Sequence, residues 1–317
     1  MAKRRAILIG AAAVAAIAAI AAIAGYAAWK NAPAALPAPV DVTTSPCERP
    51  ALPVEQRMVV PDAPLDPAAL KKKVQAFEDL KARAEKGERV AQRNLAEIYE
   101  ACFRAKPTPE NSGYDYASML RVIAPSDMAE VAMQVAAKRI ADCQAVDGGV
   151  VRWALIGKWY EEAAKNGDIA AQMAVIHRKQ QTLDRAASTG IVQRVIASND
   201  PAVAFAMGEF ILGVKPQTGD SKYDGLLYGP ISSIAWEITG CRMGHDCGPS
   251  GAVMEQACLE SGRCTGETYE ECARSYLMSP QDTGELDQQI EGISRLFKER
   301  CIPPHSFRDG VCSLRVE

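Results

Sequence analysis

Half of the ten cysteines lie in one short block of the chain, CRMGHDCGPSGAVMEQACLESGRCTGETYEEC, which also contains His245. Thiolates and imidazole together are the usual ligands of structural zinc, but zinc sites space their cysteines two to four residues apart. The gaps between cysteines here are five, ten, five and seven residues, so we predict no metal site. Disulfide bonds are favoured instead, because each contributes ~2–4 kcal/mol to short helices that bury little surface.

The even number of cysteines favours disulfide bonds formed outside the cytoplasm. No Cys-x-x-Cys redox motif occurs. The pairing does not follow from sequence alone, and one arrangement leaves Cys47 and Cys272 either bonded to each other or free. The other candidates are Cys102 with Cys143, Cys301 with Cys312, and a group that pairs internally, Cys241, Cys247, Cys258 and Cys264.

Signs of catalysis are sparse. There are three histidines, and His177 stands beside two basic residues, which predicts a solvated helix face. The chain has no Gly-x-Ser-x-Gly turn, no glycine-rich phosphate loop and no His-Glu-x-x-His helix. The acidic pairs Glu161-Glu162 and Glu270-Glu271 are adjacent, so their side chains point to different faces of a helix. We therefore predict no catalytic residue and no cofactor, and a non-enzymatic role is favoured.

Charge argues against nucleic acid as a partner. The chain has 36 basic and 39 acidic residues, and its first 30 residues hold four of the basic ones and none of the acidic ones. The remainder has 32 basic against 39 acidic residues, a net charge near −7. Such a body offers no basic surface to the phosphate backbone.

Three aromatic residues are candidates for binding a partner: Trp153, Trp159 and Tyr160. Tryptophan and tyrosine often supply much of the binding energy of a protein interface. The alternative is that they form the core, since Trp153 and Tyr160 are seven residues apart and share one helix face. The core is the commoner use of such a stripe.

The elements that position these residues repeat along the chain. The segments KGERVAQRNLAEIY (86–99) and NGDIAAQMAVI (166–176) align. Each pattern predicts a glycine turn with positive φ, an acidic helix start, a small alanine at a close helix contact and an inward aliphatic residue. The residues that carry the pattern are Gly87, Ala91, Gln92 and Leu95 in the first copy, and Gly167, Asp168, Ala171 and Gln172 in the second.

The repeat extends beyond these two copies. A third copy turns at Asn199, and a degenerate fourth one turns at Ser126-Asp127. The pattern resembles the Sel-one-like repeat family, short relatives of tetratricopeptide repeats, over about residues 67–213. In that family pattern Gly208 occupies the glycine position of the third copy.

The resemblance implies an all-α fold, a right-handed α-solenoid of helical hairpins with a concave binding surface. The alternative is an irregular bundle of alanine-rich amphipathic helices.

The first thirty residues predict a membrane anchor. Residues 6–29 carry no charge and are 24 residues long, about 36 Å as a helix, which is enough to span a bilayer. The basic residues Lys3, Arg4 and Arg5 predict a cytoplasmic N-terminus and therefore a single-pass protein of the bacterial inner membrane with its body in the periplasm. The alternative is a cleaved signal peptide and a secreted body. A linker with nine prolines follows.

These observations divide the chain into an anchor (1–30), a linker (31–67), a helical repeat domain (68–221) and a Cys-rich helical domain (222–317), which disulfide bonds would stabilise. The segment Gly225 to Cys272 resembles a Cys-rich module of uncharacterised envelope proteins of proteobacteria, and this likeness implies location only.

The function that these features favour is a membrane-anchored periplasmic adaptor that binds an envelope protein or peptide through the groove of its helical repeats. Two alternatives stay open. One is an envelope enzyme or peptidoglycan-binding factor, because some cysteine-rich members of the Sel-one-like family are linked to penicillin binding or hydrolysis. The other is a structural subunit of a secretion or division complex.

Overall fold

The computed structural model describes residues 66–111, 114–299, 305–308 and 311–314. The fold is helical from residue 66 to residue 299, and a β-hairpin, β1 (His305–Arg308) and β2 (Val311–Leu314), follows. The α-helices are α1 (Pro67–Glu85), α2 (Arg89–Phe103), α3 (Tyr116–Ile123), α4 (Ala129–Asp142), α5 (Trp153–Lys165), α6 (Ile169–Arg178), α7 (Arg185–Ser198), α8 (Pro201–Val214), α9 (Ser221–Asp224), α10 (Gly229–Arg242), α11 (Ala252–Ser261), α12 (Tyr269–Cys272) and α13 (Thr283–Glu299).

Short left-handed turns join the helices of three hairpins, α1–α2, α5–α6 and α7–α8. Gly87 has a φ of +88° and Gly167 a φ of +84°, and Asn199 occupies the same region with a φ of +50°. Asparagine is the side chain that best tolerates this conformation after glycine, so the third turn needs no glycine. Asp168 and Asp200 then begin α6 and α8 by accepting hydrogen bonds from backbone N–H groups of the first turn.

The hairpins α1–α2 and α5–α6 each contain the same kind of side-chain hydrogen bond. Gln92 Nε2 donates to the carbonyl of Ala84 at 3.0 Å, and Gln172 Nε2 donates to the carbonyl of Ala164 at 3.1 Å. In each case the glutamine ties the second helix of the hairpin to the last turn of the first. Asn166 Nδ2 also donates to Gln92 Oε1 at 2.8 Å, so the same glutamine joins one hairpin to the next.

The helices pack largely in the order of the chain. Helix α1 packs on α2, α2 on α5, α5 on α6, α6 on α8, α8 on α10 and α10 on α13. One hydrophobic cluster extends from Ala170 to Phe297 and so includes residues on both sides of position 221, where the sequence suggests a boundary.

The α8–α10 contact is the most extensive of these, and glycine lets the two backbones approach each other. A Cβ atom on Gly240 of α10 would lie 2.7 Å from the backbone nitrogen of Phe205 and 2.8 Å from the carbonyl of Pro201. A Cβ atom on Gly208 of α8 would lie 2.7 Å from the carbonyl of Ser233. The two helices therefore meet backbone to backbone, which brings their side chains to one common face.

Helices α3 and α4 leave this order and pack with α11 in a separate cluster. The hairpin of α3 and α4 turns at residues 124–128, where the sequence predicts the degenerate repeat. Gly262 ends α11 with a φ of +72° and lies against Ala124 at the end of α3.

Disulfide bonds, which the sequence predicts, link Cys102 to Cys143, Cys241 to Cys247 and Cys258 to Cys264. The first links the chain just before α3 to the chain just after α4. The other two link the C-terminal parts of α10 and α11 to the residues that follow each helix. Cys272 is a free, buried thiol. Cys47 and the predicted pair Cys301 and Cys312 lie outside the side chains that the structure describes.

The β-hairpin differs from the helical C-terminal segment that the sequence predicts. Two features of the sequence explain why a hairpin forms here and not a helix. Pro303-Pro304 cannot continue a helix after Glu299, and Asp309-Gly310 is a dipeptide typical of two-residue hairpin turns. The strands pair antiparallel with His305 opposite Leu314 and Arg308 opposite Val311.

The predicted membrane anchor and proline-rich linker lie in residues 1–65, outside the described part of the chain. Within the described part, the helices are too short or too polar to cross a bilayer.

Candidate functional site

An exposed tryptophan lies at one edge of the helical stack. Trp153 keeps 51% of its surface accessible at the start of α5. Its ring lies 5.2 Å from the ring of Phe103, and the guanidinium of Arg178 lies 4.1 Å from its centroid. Contacts with a ring and a cation fix the orientation of the indole.

Arg178 connects this tryptophan to a carboxylate. Its Nη1 donates to Glu100 Oε1 at 2.8 Å, and the hydroxyl of Tyr160 donates to Glu100 Oε2 at 2.9 Å. Tyr160 is buried, and burial together with Glu100 and Glu97 raises the pKa of its phenol. The hydroxyl therefore stays protonated and acts as a fixed hydrogen-bond donor to Glu100.

Glu209 of α8 faces the same space. Its side chain is 78% exposed, and its nearest basic group is His177, whose Nδ1 lies 3.5 Å from Glu209 Oε1. Burial and the neighbouring Glu100 raise the pKa of its carboxyl group. His177 packs against Gly213, where a Cβ atom would collide with the imidazole ring. The solvated helix face that the sequence predicts for His177 is thus only partly right, because one side of the ring covers α8.

Glu237 of α10 is a carboxylic acid whose pKa is raised well above its usual range. Burial raises its pKa to about 7, and the charge of Glu209 acts in the same direction. The hydroxyl of Tyr269 donates a hydrogen bond to Glu237 Oε2, which opposes the shift. Gly208 gives this side chain its room, because a Cβ atom there would lie 2.7 Å from Glu237 Oε1. Near neutral pH this carboxyl group therefore holds a proton more readily than an ordinary glutamate does.

The acidic side chains near Trp153 act on one another, which places them on one surface of the helical stack. The charge of Glu100 raises the pKa of Glu209, and the charge of Glu209 raises the pKa of Glu237. The side chains of Glu97 and Glu209 are 49% and 78% exposed, so part of this surface is open to water. We call this surface the acidic groove, after the concave surface that the repeat pattern predicts, and define it by Glu97, Glu100, Tyr160, Glu209 and Glu237, which come from α2, α5, α8 and α10.

A buried ion pair lies at the α2 end of the acidic groove. Arg93 Nε lies 3.1 Å from Asp168 Oδ2, and both side chains are nearly inaccessible at 7% and 5%. Arg93 Nη1 also lies 3.4 Å from Glu97 Oε1. Asp168 Oδ1 accepts from the backbone N–H of Ala171 at 2.8 Å. One carboxylate therefore caps α6 and holds α2 against it.

His245 lies within the cysteine block of the sequence, but in the structure it packs against an aromatic ring. Its ring lies 4.7 Å from the ring of Phe205. Burial and the positive charge of Arg93 hold its pKa below the usual range, so it is neutral at pH 7. Within the described ranges, no three His, Cys, Asp or Glu side chains converge as metal ligands would.

The described residues do not place a Ser, Thr or Cys nucleophile in hydrogen bond with a histidine, which covalent catalysis would use. Burial raises the pKa of the Cys272 thiol, which keeps it protonated. What the groove does offer is a set of carboxylate acceptors beside a fixed indole.

Comparison with known proteins gives no relative. No family model, no curated protein and no experimentally determined structure matches this chain. The site must therefore be interpreted from its own geometry.

Of the three aromatic candidates, the structure leaves one on the surface. Trp159 and Tyr160 are 6% and 7% exposed and pack in the core with Ile156. Tyr160 still reaches the groove through its hydroxyl. Trp153 is the one whose ring a partner can cover.

Sequence reasoning missed Glu100, Glu209 and Glu237, although a signal for two of them exists. Glu209 is the one charged residue in α8, PAVAFAMGEFILGV, and Glu237 is the one acidic residue in α10, GPISSIAWEITGCR. A lone carboxylate in an otherwise apolar helix is either paired in the core or presented at a site. Here both face the same groove.

A second depression lies between α6 and α7. It is shallow and largely apolar, with lining residues that include Ile176, Leu183 and Ile191. Arg194 is the charged residue in its lining. Its lining brings together no cluster of ionisable side chains, so we place the candidate site in the acidic groove.

Proposed function

We propose that this chain is an adaptor of the cell envelope that binds a segment of a protein partner in the acidic groove. The observation that carries the proposal is Trp153, an exposed indole held between Phe103 and Arg178. Exposed, preorganised tryptophans are typical anchors of protein interfaces. The absence of an assembled nucleophile in the described residues makes binding the better interpretation of the groove than catalysis.

The Sel-one-like solenoid is part of this proposal. Two observations support it: the identical Gln92 and Gln172 hydrogen bonds in successive hairpins, and the chain-order packing of α1, α2, α5, α6 and α8. A stack in which each unit contacts its neighbours is the arrangement that helical-repeat proteins use to build extended binding surfaces.

The location is also proposed. Disulfide bonds form and persist in oxidising compartments, and the three present here favour an extracytoplasmic body. The uncharged run at residues 6–29, preceded by basic residues, supports anchoring in the inner membrane. The adaptor would then present its groove to partners in the periplasm.

The test is proximity crosslinking in intact cells with the full chain, followed by mass spectrometry. We expect Trp153→Ala to lose at least about 90% of the captured partner, since a central aromatic anchor is worth ~2 kcal/mol or more. Tyr228→Ala is the matched control, because Tyr228 is another exposed aromatic residue, 79% accessible and outside the groove.

A protein that is captured by wild type and by Tyr228→Ala, but not by Trp153→Ala, would support the adaptor. Equal capture by all three chains would contradict the assignment of the groove. Recovery of cell-wall fragments in place of a protein would favour the peptidoglycan-binding alternative.

A further inference from the structure

The charges of the acidic groove are incompletely neutralised by the protein itself. Arg93 is engaged by Asp168 and Glu97, and Arg178 is engaged by Glu100. Glu209 has an imidazole at 3.5 Å, and Glu237 has the hydroxyl of Tyr269. In the described part of the chain, neither of these two carboxylates has a Lys or Arg partner within ion-pair distance. The groove therefore keeps negative charge that a partner can neutralise.

Apolar surface adjoins this uncompensated charge. Leu212 lies three residues after Glu209 on α8 and is 49% exposed, beside the contact of Gly213 with His177. Trp153 of α5 lies against the guanidinium of Arg178, the residue that follows His177 on α6. The contacts of His177 with Glu209 and Gly213, and of Arg178 with Trp153, therefore connect the indole, the aliphatic residue and the carboxylate of Glu209.

We infer that the occupant of the acidic groove is a cationic protein segment, whose lysine or arginine side chains bind at Glu209 and Glu237 while an apolar side chain covers Trp153 and Leu212. The inference rests on the proposed adaptor function and names the class of its partner. Charge complementarity is the argument for it, because opposite potentials steer a partner into register and a like-charged segment is repelled. A second copy of this chain fits poorly, since its body beyond residue 30 is itself acidic.

The raised carboxyl pKa values agree with this choice. The pKa of Glu237 is raised to about 7 and that of Glu209 is raised as well, both chiefly by burial. An ammonium or guanidinium group that entered the groove would favour the ionised carboxylates and lower both pKa values. Binding would therefore release protons near neutral pH.

The test uses defined peptides and the full chain. Three fluorescent peptides of identical length and apolar content carry lysine, glutamine or glutamate at the same positions, and fluorescence anisotropy at low salt measures their binding. We expect the lysine peptide to bind at least about tenfold more tightly than the glutamine peptide, a difference of about 1.4 kcal/mol. The preference should fall as salt is raised, because part of the groove is open to solvent.

Two double variants make the test specific. Glu209→Gln with Glu237→Gln should abolish the preference for lysine, whereas Glu285→Gln with Glu291→Gln makes the same two substitutions at exposed positions on α13 and should keep it. Glutamine has nearly the shape of glutamate, and both groove acids are costly to ionise, so the groove variant is expected to fold. Circular dichroism checks this before binding is measured.

Equal binding of the three peptides would contradict the inference that the partner segment is cationic. A lysine peptide that does not bind would contradict it as well. Loss of the preference in both double variants would assign it to net charge and would also overturn the inference. None of these results affects the capture experiment with Trp153→Ala, which tests the adaptor function whatever the charge of its partner.

Discussion

Replacing Arg93 with methionine is expected to lower the free energy of unfolding by about 3–5 kcal/mol. Arg93 is the cation of a pair whose two side chains are 7% and 5% exposed, and its Nε lies 3.1 Å from Asp168 Oδ2. Methionine has a similar volume, so the main effect is to leave the Asp168 carboxylate buried without its counter-charge. Urea unfolding of the full chain, followed by circular dichroism, measures the change.

Arg295→Met is the matched control. Arg295 also pairs with a glutamate, Glu291, at 3.4 Å, but the two side chains are 63% and 76% exposed. An exposed pair of this kind contributes ~0–1 kcal/mol because water and salt screen it. Adding Asp168→Asn to Arg93→Met should recover part of the loss, since asparagine can still cap α6 without a charge. A loss below about 1 kcal/mol for Arg93→Met would contradict this account of the pair.

The second large effect concerns the disulfide bond between Cys102 and Cys143. Its cysteines are 41 residues apart, so in the unfolded chain it closes a long loop. Chain entropy gives about 4 kcal/mol for a loop of this length. Cys102→Ala with Cys143→Ala should lower the free energy of unfolding by about that amount, with α3 and α4 losing hydrogen-exchange protection first.

The same substitution at Cys241 and Cys247 is the control, because those cysteines are only six residues apart. The entropy argument gives about 2 kcal/mol for so short a loop. If the short-loop variant proves as unstable as the long-loop variant, the stabilisation does not arise from loop closure.

The turns of the hairpins could be predicted from the sequence because the residues that form each turn lie close together in the chain. Gly87 and Gly167 mark the two glycine turns, and the spacing of eight residues between Ala84 and Gln92 recurs between Ala164 and Gln172. A glutamine at that distance reaches back across the turn to the same carbonyl in both hairpins. The repetition in sequence is therefore a repetition of one hydrogen bond.

The acidic groove could not be predicted in the same way. Glu100 and Glu237 are far apart in the chain, and it is the backbone contact of α8 with α10 at Gly240 that brings α10 to the groove. Sequence shows a lone glutamate in each apolar helix, but only packing decides whether that glutamate meets a lysine, a second helix or solvent. Packing also explains why Trp153 is exposed and Tyr160 is buried. The two residues share a helix face, but Trp153 lies at the start of α5, at the edge of the stack.

Site-specific photo-crosslinking would show whether a partner binds in the acidic groove, as we propose. A photoreactive phenylalanine analogue would replace Leu212 in one chain and Leu277 in another, and these leucines are 49% and 51% exposed. We expect irradiation of intact cells to join the Leu212 chain to one partner and to give no such product from the Leu277 chain. The same product from both positions, or from Leu277 alone, would contradict the proposal.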